Sequence, residues 1–500
     1  MYEFVDLHER GAASTSLSIQ TIFNGINLDE VLTDESGGFT TLTVSGRGNV
    51  TNRLFTTEIP GKDGLLESNE YTSSEREIVV KYKITDRTNE GFRLRFNKLN
   101  DLLKGTKNEL VFSDEDASFY ATLSGNEVPE ENSNTLIASL TFLCSNPRKY
   151  GPEKTITLNT SSGTIANVDG TASTKPIFEL EVNAPITFAM VSTGDEYMVI
   201  GRPADIEEEL VDTKTMILEE EGTSLGSWSE ASTMVDVGEV SGRFETDGIG
   251  ITVPDYGLPS DSRWHGPALI KEIPVIQDFE IEMLMDVRTI NSEETFRIEC
   301  YLFDENFNVL GKVGIKDNGL QLHRKKGVGR IGSELGGTTN YLISSENYEY
   351  NWDTFNGMVR MRRVGKRFEF YITRVSNAGN HVNSQVASYY DSDGSYQGLL
   401  KYIQIHIGKY SGTEQAYTPR IDSIRVFQLH ETNVDQTPYI ANVGDKIVMN
   451  HRTRELLLNG ERVAKGDFGS RPFNLSPGEN TLVLLPENGL RGIMKYRPAY

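Results

Sequence analysis

Few residue groupings in this chain have the spacing that chemistry needs. Gly222-Thr223-Ser224-Leu225-Gly226 matches G-x-S-x-G, in which a serine nucleophile sits on a turn between a strand and a helix. Here the acidic run Glu219-Glu220-Glu221 precedes it and Ser227-Trp228-Ser229-Glu230 follows, so the flanks do not fit and the match is read as chance. Asp391-Ser392-Asp393-Gly394 opens like a calcium loop, but the later ligand positions and the closing Glu are out of register, and a plain turn is expected. The seven histidines, at 8, 265, 323, 381, 406, 430 and 451, show no short metal-binding spacing. With 72 Asp and Glu in the chain, no glycosidase pair of carboxylates stands out. Cys144 and Cys300 lie far apart in alternating apolar runs and read as small buried hydrophobes rather than a disulfide or a metal site. The sequence predicts no catalytic residue, no cofactor and no metal.

Aromatic side chains carry the one suggestive pattern. All three tryptophans, Trp228, Trp264 and Trp352, fall between residues 206 and 432. Tyr256, Tyr389, Tyr390 and Tyr396 stand there in turn-like, polar surroundings. A flat ring beside polar groups suits the apolar face and hydroxyl edge of a sugar. Trp264, Tyr256, Tyr389 and Tyr390 are therefore the candidate carbohydrate-binding residues. Asp261-Ser262-Arg263 and His265-Gly266-Pro267 put Trp264 in a polar loop. The competing reading makes the tryptophans core residues, since Trp is highly buried on average.

These candidates need a scaffold, and 500 residues allow two to four domains. A composition of 37% hydrophobic and 24% charged residues is that of a globular chain. The formal net charge of -23 disfavours binding to DNA or to an anionic membrane surface. The first residues, Met1 to Gly11, lack the basic and apolar regions of a secretory signal, and no apolar run approaches a membrane span. Synthesis and folding in the cytosol are expected.

One stretch, Asp86 to Gly125, organises the first part. Phe92, Phe96, Leu99 and Leu103 fall on one helical face, Thr88 or Asn89 can cap it, and Gly105 can stop it. Leu110 to Phe112 and Phe119 to Leu123 then read as a hairpin. Ahead of the helix, Ile78, Val80, Tyr82 and Ile84 alternate in a half-buried strand, and Leu136, Ala138, Leu140 and Phe142 do the same later. Thr56 to Tyr71 reads as a polar loop around the turn Pro60-Gly61-Lys62-Asp63-Gly64. Residues 153 to 205 supply about half of a β-sandwich, too few strands to close a core. The remaining strands occur at 433 to 500, around the hairpin turn Asn459-Gly460. Between them, residues 206 to 432 hold many strands and no helix, as in a jelly roll.

The order of these parts, with Ile22 to Leu28, the Pro60 to Gly64 loop, the Ile78 to Ile84 strand and the Leu110 to Gly125 hairpin, resembles the distal tail proteins of siphophages that infect Gram-positive bacteria. The resemblance covers residues 1 to about 150 and, more weakly, 153 to 205 with 433 to 500. It implies a mainly β chain with an N-terminal α+β ring-forming domain at 1–152. A galectin-like sandwich at 153–205 and 433–500 would be interrupted by an insertion at 206–432, which, through the paired pattern at Asn356 to Val375 and the last strand, Arg420 to Leu429, itself resembles the concanavalin-like jelly roll of carbohydrate-binding modules. It also implies a structural virion protein, a homo-hexameric ring at the tail tip assembled in the host cytoplasm. Its implied partners are the tail tube protein, a tail-associated hub or fibre protein and, through the insertion, host cell-wall polysaccharide. The alternatives are a polysaccharide-degrading tail enzyme and a free carbohydrate-binding adhesin.

Overall fold

The computed structural model describes residues 19–48, 51–131, 133–159, 163–204, 209–231, 235–259, 261–320, 324–333, 340–343, 352–432, 436–463 and 469–500, with backbone alone at 340–343. His8 and His323 lie outside the described residues.

Strand alternation builds the first unit as the sequence predicts. Ile78, Val80, Tyr82 and Ile84 of strand Arg76–Asp86 are fully buried. They face Phe142, Leu140, Ala138 and Leu136 across an antiparallel ladder with Thr135–Cys144. The seven-stranded sheet runs Ile26–Asn27, Thr21–Phe23, Asn108–Phe112, Ser118–Glu127, Thr135–Cys144, Arg76–Asp86, Gly37–Ser45. Helix Asn89–Leu102 starts at Thr88, whose hydroxyl accepts the Gly91 amide at 3.0 Å. It buries Phe92 and Leu99 in the same core, with Leu103 just past its end, while Leu94 points outward. Arg95 is also buried, and its guanidinium reaches Asp86 at 2.8 Å and Asp34 at 2.9 Å. A periodicity of apolar residues does not reveal such an ion pair.

The stretch read as a polar loop is instead a two-stranded arm. Asn52–Glu58 and Leu65–Ser73 pair with each other and, among the described residues, with no other strand, and every residue of both is exposed. Leu54, Phe55, Ile59, Leu65, Leu66 and Tyr71 all stand in solvent, Tyr71 at 64%. The turn cluster is real. Its flanks misled because they mix polar and apolar residues with no face turned to a core.

Two sheets form the sandwich. One joins Lys154–Thr157, Leu490–Tyr496, Ile177–Val182, Lys446–Asn450, Glu455–Leu458 and Glu461–Arg462. The other joins Thr164–Val168, Gly478–Leu485, Phe188–Ser192 and Tyr197–Gly201. Phe178, Leu180, Ile447, Met449, Leu482 and Met494 fill the space between them. The turn Asn459-Gly460 has positive φ at both residues, +50° and +82°, as its type requires. Leu475 makes an isolated antiparallel bridge to Thr174.

The inserted stretch builds its own double layer. Its eight-stranded sheet centres on Tyr417–Leu429, Phe279–Arg288, Thr354–Val364 and Arg367–Val375, and ends at His381–Tyr390. Its ten-stranded sheet centres on Ala268–Ile276, Leu400–Tyr410, Glu294–Asp304, Val309–Asp317 and Lys325–Ile331. Ile281, Met283 and Met285 from one sheet meet Ile298, Cys300, Leu302, Ile403 and Ile405 from the other in one core. The chain enters through Glu209–Val211 and leaves through Gln436–Pro438, which pair side by side in parallel. A second attachment lies at the turn Asn459-Gly460. Arg360 grips Glu461 with two hydrogen bonds of 2.7 and 2.9 Å, and the His381 amide donates to the Gly460 carbonyl at 2.9 Å. Among the described residues no helix is long and apolar enough to cross a membrane.

Candidate functional site

The four predicted sugar-contacting residues do not converge. Tyr389 and Tyr390 lie on strand His381–Tyr390 of the eight-stranded sheet, and Trp264 belongs to the ten-stranded sheet. Tyr256 is buried in the shared core, where burial pushes its phenol well up; it presents no ring to a ligand. Tyr389 packs half-buried against that core beside Phe368, and only Tyr390, 65% exposed, is open. The turn-like setting expected for Tyr389 and Tyr390 is thus a strand end.

Trp264 is not in a loop either. It begins strand Trp264–Gly266, which pairs with Leu400–Tyr410. Gly266 permits this, because a Cβ there would meet the Ile407 carbonyl oxygen at 2.1 Å. The half-buried indole sits edge-on to Tyr410, with the Arg297 guanidinium 5.1 Å over its ring. Trp228 and Trp352 are core residues, in line with the competing reading.

A dense polar network covers the face of the ten-stranded sheet that points away from the shared core. Alternation explains it: Ile298, Cys300 and Leu302 point inward, so Arg297, Glu299 and Tyr301 point outward. Neighbouring strands add Lys312, Arg330 and His406, all buried. Asp236 plugs the cluster. Its carboxylate meets Lys312 at 2.7 Å and takes a two-pronged contact from Arg330, one prong at 3.0 Å. Its carbonyl accepts from Arg297 at 2.6 Å, and its amide donates to the Tyr301 hydroxyl at 3.2 Å. Lys312 also binds Glu299 at 2.6 Å, and the Tyr301 hydroxyl donates to Glu299 at 2.5 Å.

The electrostatics suit structure better than catalysis. Burial opposes charge on Glu299, yet Lys312 and Arg297 beside it hold its carboxyl well below the usual range. A glycosidase acid needs the reverse, a carboxyl raised so that it keeps its proton. Burial, with Arg297 nearby, pulls His406 down to about 3, leaving a neutral imidazole whose Nδ1 lies 2.9 Å from the Pro267 carbonyl.

The other motifs settle simply. Among the described residues no helix follows Ser224, whose hydroxyl accepts the Gly226 amide at 3.3 Å. Asp391 spends its carboxylate on the Ser395 and Tyr396 amides and on Gln397, the pattern of a self-capped turn. Both cysteines are buried free thiols, pushed up by burial to about 11 for Cys144 and about 12 for Cys300. Among the described residues no three His, Cys, Asp or Glu gather as metal ligands would.

The sequence reading passed over one aromatic pair. Phe307 stacks on Tyr402 at the end of this same sheet face, with ring centres 4.4 Å apart and planes 13° from parallel. The available signal was an aromatic between two asparagines, Asn306 and Asn308, the residue type that favours turns.

Two family models match this chain, one towards each end. Residues 26–144 match the model of the phage tail protein RIFT-related domain, and residues 417–500 match that of the siphovirus-type tail component C-terminal domain. Both ends of the chain thus match phage tail component domains, and most of the double-layered β insertion lies between the two matches, the second of which begins at its last strand, Tyr417–Leu429. Among solved structures it is similar to the Dit protein of phage SPP1, described as a paradigm of hub adsorption apparatus in phages infecting Gram-positive bacteria. That likeness has 24% identity and TM-score 0.32, over 37% of this chain and 74% of the other. It is also similar to the CBM2 module of the evolved Dit of Lactobacillus casei BL23 phage J-1, at 12% identity and TM-score 0.38, over 45% of this chain and 100% of the other. A third likeness is to a non-specific endo-β-1,3(4)-glucanase, at 9% identity and TM-score 0.32, over 52% of this chain and 97% of the other. No curated protein matches.

Proposed function

We propose that the chain is the distal tail protein of a siphophage of Gram-positive bacteria. It forms a homo-hexameric ring at the virion tail tip, assembled in the host cytoplasm. The ring joins the tail tube protein to a tail-associated hub or fibre protein. Residues 1–152 form the ring, residues 153–205 and 433–500 form the sandwich beneath it, and residues 206–432 carry a non-catalytic module that touches cell-wall polysaccharide. The observation that carries this reading is the pair of tail-family matches towards the two ends of the chain, the second beginning at the last strand of an insertion with a core of its own.

Two physical features support it. An isolated two-stranded ribbon is marginal in water, and the Asn52–Ser73 arm exposes six large apolar side chains. A neighbouring copy of the chain would cover them. The net charge of -23 also lets DNA pass through a ring without binding to its wall.

Electron microscopy and light scattering of the purified full chain test the proposal. Rings of uniform size are expected, and a chain that stays monomeric at high concentration contradicts it. Leu54→Ser combined with Leu66→Ser should leave a folded monomer. Removing residues 206–432 with a short Gly/Ser join should leave the rings intact and abolish binding to cell walls.

A further inference from the structure

Phe307 occupies a backbone position that its type avoids. In the turn after strand Glu294–Asp304 it adopts φ +62°, the left-handed region. Asparagine and glycine take that region readily, and a bulky aromatic does so only under constraint. Asparagines stand on both sides, at 306 and 308, yet the left-handed position holds the phenylalanine.

The constraint comes from Asp304. Its carboxylate accepts the amides of Asn306 and Asn308, both at 2.8 Å, and the side-chain amide of Asn308 at 2.9 Å. Its own amide donates to the Asn308 carbonyl at 3.0 Å, and its carbonyl accepts the Phe307 amide at 3.1 Å. The turn is thus fixed before anything binds, which lowers the entropic cost of binding. Strain of this kind, held by surrounding bonds, is characteristic of binding and catalytic positions.

One face of the Phe307 ring rests on half-buried Tyr402, and Phe307 remains 48% exposed. Tyr402 is itself packed against the buried cluster of Val235, Ala268, Tyr301 and Phe303. The surroundings are polar. Glu305, Asn306 and Asn308 are exposed, and Lys401, 5.3 Å over the Tyr402 ring, pairs with Glu272 at 3.4 Å. A single open ring within a rim of hydrogen-bonding groups fits the apolar face and hydroxyls of one pyranose unit. It is far smaller than the roughly 800 Å² per partner of a protein interface.

We propose that Phe307, backed by Tyr402, is the stacking platform on which the insertion seats a sugar unit of a cell-wall polysaccharide. This rests on the functional reading above and moves the contact away from Trp264, Tyr256 and Tyr389.

The test is binding of the full chain to protein-stripped cell walls from a panel of Gram-positive bacteria, and to polysaccharide released from those walls, read by co-sedimentation and calorimetry. The wild type is expected to bind at least one wall preparation. Phe307→Ala should weaken that binding roughly tenfold to a hundredfold, by analogy with the loss of a stacked aromatic. Phe307→Gly should weaken it as much, while the melting temperature holds or rises because strain is relieved. Binding by Phe307→Ala equal to that of the wild type overturns the platform and leaves the functional reading standing. A wild type that binds no wall, or a chain without residues 206–432 that binds as well, overturns both. Binding that survives removal of the polysaccharide from the walls identifies a different partner class and also overturns the platform.

Discussion

Arg330→Met is expected to lower the melting temperature of the inserted sandwich by roughly 10 °C, the largest stability change foreseen for any single substitution here. Arg330 is fully buried, binds the Asp236 carboxylate with two nitrogens, and donates from Nε to the Gly332 carbonyl at 3.0 Å. Methionine fills similar space but leaves Asp236 with Lys312 as its remaining cation, which Asp236 shares with Glu299. Breaking a buried ion pair from one side costs about 3–5 kcal/mol, because the stranded charge stays desolvated. Removing both partners, as Asp236→Leu with Arg330→Met, should recover much of that loss. Calorimetry of the full chain gives the answer, with the insertion's transition assigned by its absence when residues 206–432 are deleted. A shift of under about 2 °C would mean that the network is not coupled to the fold in this way.

Mild acid should loosen the sandwich that holds residues 177–201 and 446–496 through one histidine. His451 is buried between Phe178 and Phe473, with ring centres 5.2 and 4.1 Å away. Burial lowers it from 6.5 to about 4. Its Nδ1 accepts the Phe473 amide at 2.9 Å, which requires that nitrogen to be unprotonated. Above pH 6.5 the folded and unfolded chains both hold a neutral ring, and the stability is whole. As the pH falls the unfolded chain takes up a proton that the folded chain refuses until about pH 4. Stability should drop by about 1.4 kcal/mol per pH unit over that window, on the order of 3 kcal/mol by its lower end. His451→Asn places an acceptor near the Nδ1 position and cannot ionise, so its denaturation midpoint should vary less with pH. An unchanged pH slope in that variant would assign the acid sensitivity elsewhere.

Local pattern made much of the fold legible. Strand Arg76–Asp86 could be read because every second side chain had to be apolar to meet one core. The helix could be read from its spacing and its cap, and the turn Asn459-Gly460 from its need for positive φ. What could not be read depends on contacts far apart in the chain. Arg95 reads as a solvent-facing helix residue until Asp34 and Asp86 are seen to close over it. Asp236 and Arg330 look like two ordinary charges separated by a long stretch of sequence, and only the strand order joins them. Trp264 was read from its polar neighbours alone, whereas a glycine two residues later sets its backbone against the next strand. The aromatic pair combines both cases. The turn that presents Phe307 was foreseeable, and its stacking on Tyr402, from a strand much later in the chain, was not.

The side-by-side pairing of Glu209–Val211 with Gln436–Pro438 bears on the order in which the chain can fold. The strands of the sandwich outside the insertion come from both sides of that junction, so they cannot meet until the long excursion between them closes. If the excursion were a random coil, closing it would cost about 3 kcal/mol more than closing a tight turn. Once folded, the insertion brings its own two ends together and removes that cost. The sandwich thus gains stability from a module whose core it does not share, and its strands should dock fastest when the insertion has folded first. Substitutions deep in the insertion, Arg330→Met among them, should then slow the acquisition of a domain that they do not touch.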